Sequence, residues 1–152
     1  MTDTPLDTVQ RWFQSVVTHP GGVSEGAAAE EANQLIRLDR GALEAGRRAL
    51  VVHGLDGLDE ITITGKTRIA EAREGSVRSY EVEPEEFGME PATLQEIAGG
   101  DAAENAEIIR AVLGGEKSAR RDVVLLNAGA ALVAAGRAEH IAEAVPIAAK
   151  SI

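Results

Sequence analysis

The stretch "VVHGLDGLDE", residues 51–60, gathers the carboxylates of Asp56, Asp59 and Glu60 around Gly54 and Gly57. Carboxylate oxygens are hard ligands, and Mg²⁺ is usually held by one or two of them beside the phosphates of a substrate, so one reading is a metal loop. Asp and Gly are equally common in turns for reasons of backbone geometry, so the other reading is a solvated turn. Residue types and spacing leave both open.

Other chemistry-bearing residues are more scattered. His53 sits where the apolar run ends and has the titration range of a general base, but no nucleophile lies near it in sequence, and a structural histidine is the plainer reading. His19 falls in a helix-ending turn and His140 on an Ala-rich helix. Lys117, Arg120 and Arg121 form the one compact basic patch. Such a patch can meet phosphate, or be solvated or paired with acid in so negative a chain. Asn127 interrupts "DVVLLNAGAALVAAG" and reads as a packing residue that needs hydrogen bonds rather than as a ligand. The glycine pairs match neither a Walker loop nor a dinucleotide fingerprint. Composition and spacing therefore assign no catalytic residue and no substrate-binding residue.

The loop has to be carried by its neighbours. "RALVVHG" is a continuous apolar run closed by glycine, the form of a strand buried on both faces of a parallel sheet. After it, "EITIT", "RIAEA" and the alternating "SVRSYEV" across the turn "REGS" predict antiparallel strands or a hairpin over residues 61–83. Pro91 opens a short helical piece, and Asp101 with Glu104 three residues on predicts a capped helix to Leu113. Two Ala-rich helices follow, over about 120–135 and 138–150, the second interrupted by Pro146. Ahead of the strand, Leu6, Val9, Phe13, Val16 and Val17 recur at helical spacing, and residues 25–38 have helical composition. A joint is expected near Gly41 and Gly46.

This order predicts an α/β (or α+β) fold. Its sheet would be an incomplete mixed one, a short strand plus a β-hairpin with C-terminal Ala-rich helices, preceded by a small helical N-terminal segment. The domain reading is a helical segment over 1–38 and a partial α/β domain over 47–152.

Bulk properties narrow the functions. A chain of 152 residues with 44% hydrophobic residues has enough apolar matter for one core. Only 3% are aromatic, so that core must come from Val, Ile, Leu and Ala. A formal charge of −10 repels a phosphate backbone, which argues against nucleic acid as a partner. There is no cysteine, hence no thiolate nucleophile and no disulfide framework. Neither a signal peptide nor a run of about 18 apolar residues is present, so the expected location is cytoplasmic, with no membrane partner.

Taken together, "RALVVHGLDGLDEI" and "GGDAAENAEIIRAVLGGEKSARRDVVLLNAGAALVAAGRAEHIAEAV" resemble the C-terminal part of the anthranilate phosphoribosyltransferase family, in the right order, over about residues 47–152. Residues 1–36 carry no such resemblance. The likeness implies an α/β domain of a Mg²⁺-dependent glycosyltransferase of tryptophan biosynthesis, which moves a phosphoribosyl group from PRPP to the amine of anthranilate and releases pyrophosphate. It also implies that Asp59 and Glu60 bind magnesium at the pyrophosphate. The family's "GTGGD" and "KHGNR" segments have no counterpart in this sequence. The implied chain is accordingly truncated and inactive alone, either joined to a second copy as a homo-oligomer or completed by a complementary chain as half of a split enzyme. A non-catalytic interaction module is the alternative.

Overall fold

The computed structural model describes residues 48–74 and 76–152. The expected helices over 6–17 and 25–38, the joint near 41–46 and His19 lie outside the described residues.

Three strands come first: β1 (Ala49–Gly54), β2 (Thr67–Arg73) and β3 (Ser76–Val82). They form one antiparallel sheet in the order β1-β2-β3. Val52 stands opposite Ile69, and Ile69 opposite Tyr80, so these three side chains share a face. Helices supply the rest: a 3-10 turn (Pro84–Phe87), a single turn α1 (Leu94–Ile97), then α2 (Ala102–Leu113), α3 (Ala119–Ala134) and α4 (Ile141–Ala148).

The core lies between that sheet face and α3. Val123, Leu126, Ala130 and Val133 recur at three and four residues along α3 and are buried against Ile69, Val82, Ile61 and Ile63. α4 closes the other side with Ile141, Ala144 and Ala148. The small residues set how close the helices come: a Cβ placed on Gly129 would stand 3.4 Å from Val145. This is the aromatic-poor, alanine-rich packing expected from composition.

Local signals explain the helix boundaries. Asp101 accepts from the amides of Ala103 and Glu104 while Glu104 accepts from the Asp101 amide, a reciprocal cap for α2. Ser118 caps α3 by accepting from the Arg121 amide. His140 is the residue before α4 rather than part of its interior, and Pro146 sits inside that helix.

Three expectations need correction. β1 is not a parallel strand buried on both faces: it pairs antiparallel with β2 alone, at the edge, and most of it is half-buried. The sheet is antiparallel throughout the described residues rather than mixed. "EITIT" is not a strand, although Ile61, Thr62 and Ile63 are buried. Thr62 and Thr64 turn their hydroxyls onto Asp56, and the Thr62 hydroxyl accepts from the Thr64 amide, so local bonds replace a ladder. Among the described residues no helix is long and apolar enough to cross a membrane.

Candidate functional site

The loop that follows β1 is built from the backbone outward. Gly54 donates to the Leu58 carbonyl and Gly57 to the Gly54 carbonyl, both at 2.9 Å, which closes a tight turn. Gly57 adopts a φ of 101°, in the left-handed region that favours glycine. Gly54 is required for a different reason: a Cβ there would stand 2.5 Å from Asp56 Oδ1 and 3.2 Å from Thr62.

Asp56 organises the loop. Its Oδ1 accepts from the Leu58 amide at 3.1 Å, and its Oδ2 accepts from the hydroxyl of Thr62 at 2.5 Å and from that of Thr64. Burial raises its pKa, but the two hydroxyls and the Leu58 amide outweigh that, and the carboxyl lies below its ordinary value. Both oxygens are thus engaged inside the protein.

Asp59 and Glu60 differ. Among the described residues neither has a hydrogen-bond or ion-pair partner. Asp59 is exposed and Glu60 half-buried. Burial pushes the Glu60 carboxyl up, and the charges of Asp59 and Asp56 push it further the same way. Two neighbouring hard-oxygen groups, one held under electrostatic pressure and neither neutralised by an Arg or Lys, suit a small divalent cation. Among the described residues no cluster of three or more His, Asp or Glu could hold a metal. The donor set therefore fits a cation shared with a substrate's phosphates, and does not fit an all-protein cage.

Beyond Glu60 the chain dives into the core at Ile61, and Asn127 of α3 meets it there. The Ile61 amide donates to Asn127 Oδ1, and Asn127 Nδ2 donates to the Ile61 carbonyl, each at 2.9 Å. Beside Glu60 opens an apolar groove of about 860 Å³ whose lining includes Leu58, Leu94, Ile109, Leu113 and Val124. Ile109 and Leu113 are 57% and 60% exposed.

The remaining sequence candidates do not converge on this loop. His53 lies on β1 opposite Arg68, and its Nδ1 is buried without a hydrogen-bond partner. The basic patch does not form a phosphate cradle: Arg120 donates twice to the Ala98 carbonyl, at 3.2 and 2.7 Å, and Arg121 Nε is buried and unpaired. His140 is exposed.

Sequence reasoning missed a second polar cluster. Glu71, 1% exposed, accepts from Arg48, from Arg78 and from the hydroxyl of Tyr80. Burial raises its pKa, and the two guanidinium groups more than offset this, so the net direction is down. The one available signal was an acid among Ile69, Ala70 and Ala72 in "RIAEA".

Known proteins were compared with this chain. The family model described as "Glycosyl transferase family, a/b domain" matches residues 22–152, beginning ahead of Arg47. Anthranilate phosphoribosyltransferase of Trichlorobacter lovleyi is 53% identical over 106 residues, 70% of this chain and 30% of that protein. The enzyme of the same name from Rubrobacter xylanophilus is 45% identical over 139 residues, 90% of this chain and 41% of that protein. In structure, anthranilate phosphoribosyltransferase from Thermus thermophilus superposes with a TM-score of 0.68 at 37% identity, covering 84% of this chain and 36% of that one. The Saccharomyces cerevisiae enzyme in complex with PRPP and Mg gives 0.61 at 28% identity, over 68% of this chain and 30% of that one. The chain thus spans less than half the length of these relatives. With its fold and 131 of its residues inside that match, the chain belongs to the glycosyl transferase family, in its a/b domain.

Proposed function

We propose that this chain carries the cation-binding part of a phosphoribosyl-transfer site, with Asp59 and Glu60 as the carboxylates that hold Mg²⁺ against the pyrophosphate of PRPP. The observation that carries it is the unpartnered Asp59 and Glu60 pair on a loop whose shape is already set by internal hydrogen bonds. The relatives named anthranilate phosphoribosyltransferase, one of them bound to PRPP and Mg, support the substrate class.

In the reaction the bond between the ribose C1′ and pyrophosphate breaks and a bond to the anthranilate amine forms, with loss of an amine proton. The cation, when bound, supplies positive charge to the departing pyrophosphate. The work of this chain is placement: Asp56 fixes the turn that carries the exposed Asp59 and the half-buried Glu60, so no loop ordering has to be met at the moment of transfer. Binding of the ribose and of the amine falls to groups outside this set, supplied by a complementary chain. We place the assembled protein in the cytoplasm, in tryptophan biosynthesis, with the chain inactive alone.

The test is the loss of anthranilate fluorescence with PRPP and Mg²⁺, using the folded chain alone and mixed with a complementary chain bearing "GTGGD". Turnover in the mixture that vanishes in the Asp59→Asn, Glu60→Gln double variant supports the reading; turnover that survives the double variant sinks it. A second reading is a non-catalytic interaction module. The exposed Leu94, Ile109 and Leu113 along the groove favour it. Association that is intact in the double variant, without turnover in any mixture, would select it.

A further inference from the structure

We infer that Asn127 is a positioning residue for the Asp59 and Glu60 pair, acting through the backbone of Ile61. The inference rests on the cation-loop reading above and adds the device that keeps that loop in shape without a cation.

The geometry is specific to a carboxamide of this length. Asn127 Oδ1 accepts from the Ile61 amide and Nδ2 donates to the Ile61 carbonyl, so one planar group satisfies both polar atoms of the residue after Glu60. The second Nδ2 hydrogen goes to the Val123 carbonyl at 3.0 Å, four residues back on α3, which pins the amide to its own helix. Every polar function of the side chain is spent on this one task. Aspartate has no donor, leucine neither donor nor acceptor, and glutamine is one methylene too long.

Ile61 is held in three ways. Its side chain is 1% exposed in the core, and both of its backbone groups are bound to α3. On the other side of the carboxylates, Asp56 ties Leu58, Thr62 and Thr64 together. Asp59 and Glu60 therefore stand between two fixed points. The clamp keeps the backbone that carries the two like charges from opening into solvent. The cation then meets two carboxylates whose backbone is already fixed on both sides, and the cost of ordering that backbone is met by α3 packing.

The experiment uses the whole ¹⁵N-labelled chain and compares wild type, Asn127→Leu and Leu132→Ala. Leu132 lies on the same helix, five residues beyond Asn127, and packs against the core without a hydrogen bond to Ile61, so its variant controls for general destabilisation. Two readouts are taken: amide hydrogen exchange without metal, and affinity for Mn²⁺ alone from free-ion paramagnetic resonance. Loss of two hydrogen bonds is expected to raise exchange over residues 58–61 at least about tenfold in Asn127→Leu, with β2 and β3 amides unchanged. Mn²⁺ affinity should fall by about the same factor. Leu132→Ala should leave the loop exchange and the affinity at wild-type values. Unchanged loop exchange in Asn127→Leu overturns the inference, as does an equal rise in Leu132→Ala. Failure of wild type to bind Mn²⁺ overturns the cation reading, and the clamp is then decided by the exchange arm.

Discussion

Arg48 Nε donates to Glu71 Oε1 at 2.8 Å across 23 residues of chain, joining the residue before β1 to the buried centre of β2. The same guanidinium donates to the carbonyls of Ala138 and Glu139, so it also ties the sheet to the turn between α3 and α4. Arg78 brings β3 into the cluster with bonds of 2.9 and 2.7 Å to Glu71 Oε2. One carboxylate thus fixes three strands and a helical turn.

Glu71→Gln leaves the nearly buried Arg48 guanidinium and the exposed Arg78 guanidinium facing a neutral amide. It is expected to cost about 3 kcal/mol, read as a lower urea midpoint with an unchanged slope. The pH dependence follows from direction. Glu71 lies below its ordinary value of 4.5, so its contribution is present above 4.5 and is lost as pH falls through the depressed value. Wild type should therefore lose more stability on acidification than Glu71→Gln, and equal losses would contradict this account.

Glu60 has the opposite sign. Its carboxyl is raised above 4.5, so the protonated form is favoured by folding; that contribution is present below 4.5 and lost as pH rises through the raised value. At neutral pH the chain carries the cost of burying the charge and, beside it, the repulsion from Asp59 and Asp56. Glu60→Gln should raise the thermal midpoint there by the equivalent of about 0.5 kcal/mol, the scale of a solvent-screened pair, and the gain should shrink in high salt.

Asp56→Ala removes the acceptor for two hydroxyls and the Leu58 amide at once. A loss of about 2 kcal/mol is expected, together with loss of Mn²⁺ binding even though Asp59 and Glu60 are intact. Calorimetric unfolding and a titration of the same sample test both halves. Retained binding would mean that the loop holds its shape without Asp56.

The two loop glycines should fail for different reasons. Gly54→Ala drives a methyl into Asp56 and Thr62 and should cost about 2 kcal/mol by overpacking. Gly57→Ala meets open space but must hold a φ of 101°, and should cost about 1 kcal/mol through strain alone. Relaxation seen in a structure of Gly54→Ala should therefore centre on Asp56 and Thr62, and in Gly57→Ala on the backbone itself.

Local interactions were legible in the sequence and distant ones were not. Asp101 and Glu104 announced a cap that closes within three residues, and the hairpin of β2 and β3 showed in "RIAEA" and "SVRSYEV". A continuous apolar run looks the same whether helices cover both faces or one, so β1 was placed in a parallel sheet. "EITIT" alternates as a strand does, but its threonines bond to Asp56, a choice set by the turn ahead of it. Asn127 was read as a hydrogen-bonding residue within helix packing. That its partner is Ile61, 66 residues earlier, is a matter of tertiary register. The family match extends to residue 22, further than the motifs that suggested it.

β1 pairs on one side only, and among the described residues its outer row of amide and carbonyl groups meets no strand. Its sequence, "ALVVHG", carries no Asp, Glu, Lys or Arg to turn away a like segment from another molecule. The long-range field of a chain with a formal charge of −10 opposes the approach of two copies. Salt shortens the reach of that field to about 8 Å at physiological ionic strength. The colloidal behaviour of this protein should then run against habit: clear solutions at low salt, and growing turbidity as electrolyte lets bare strands find each other.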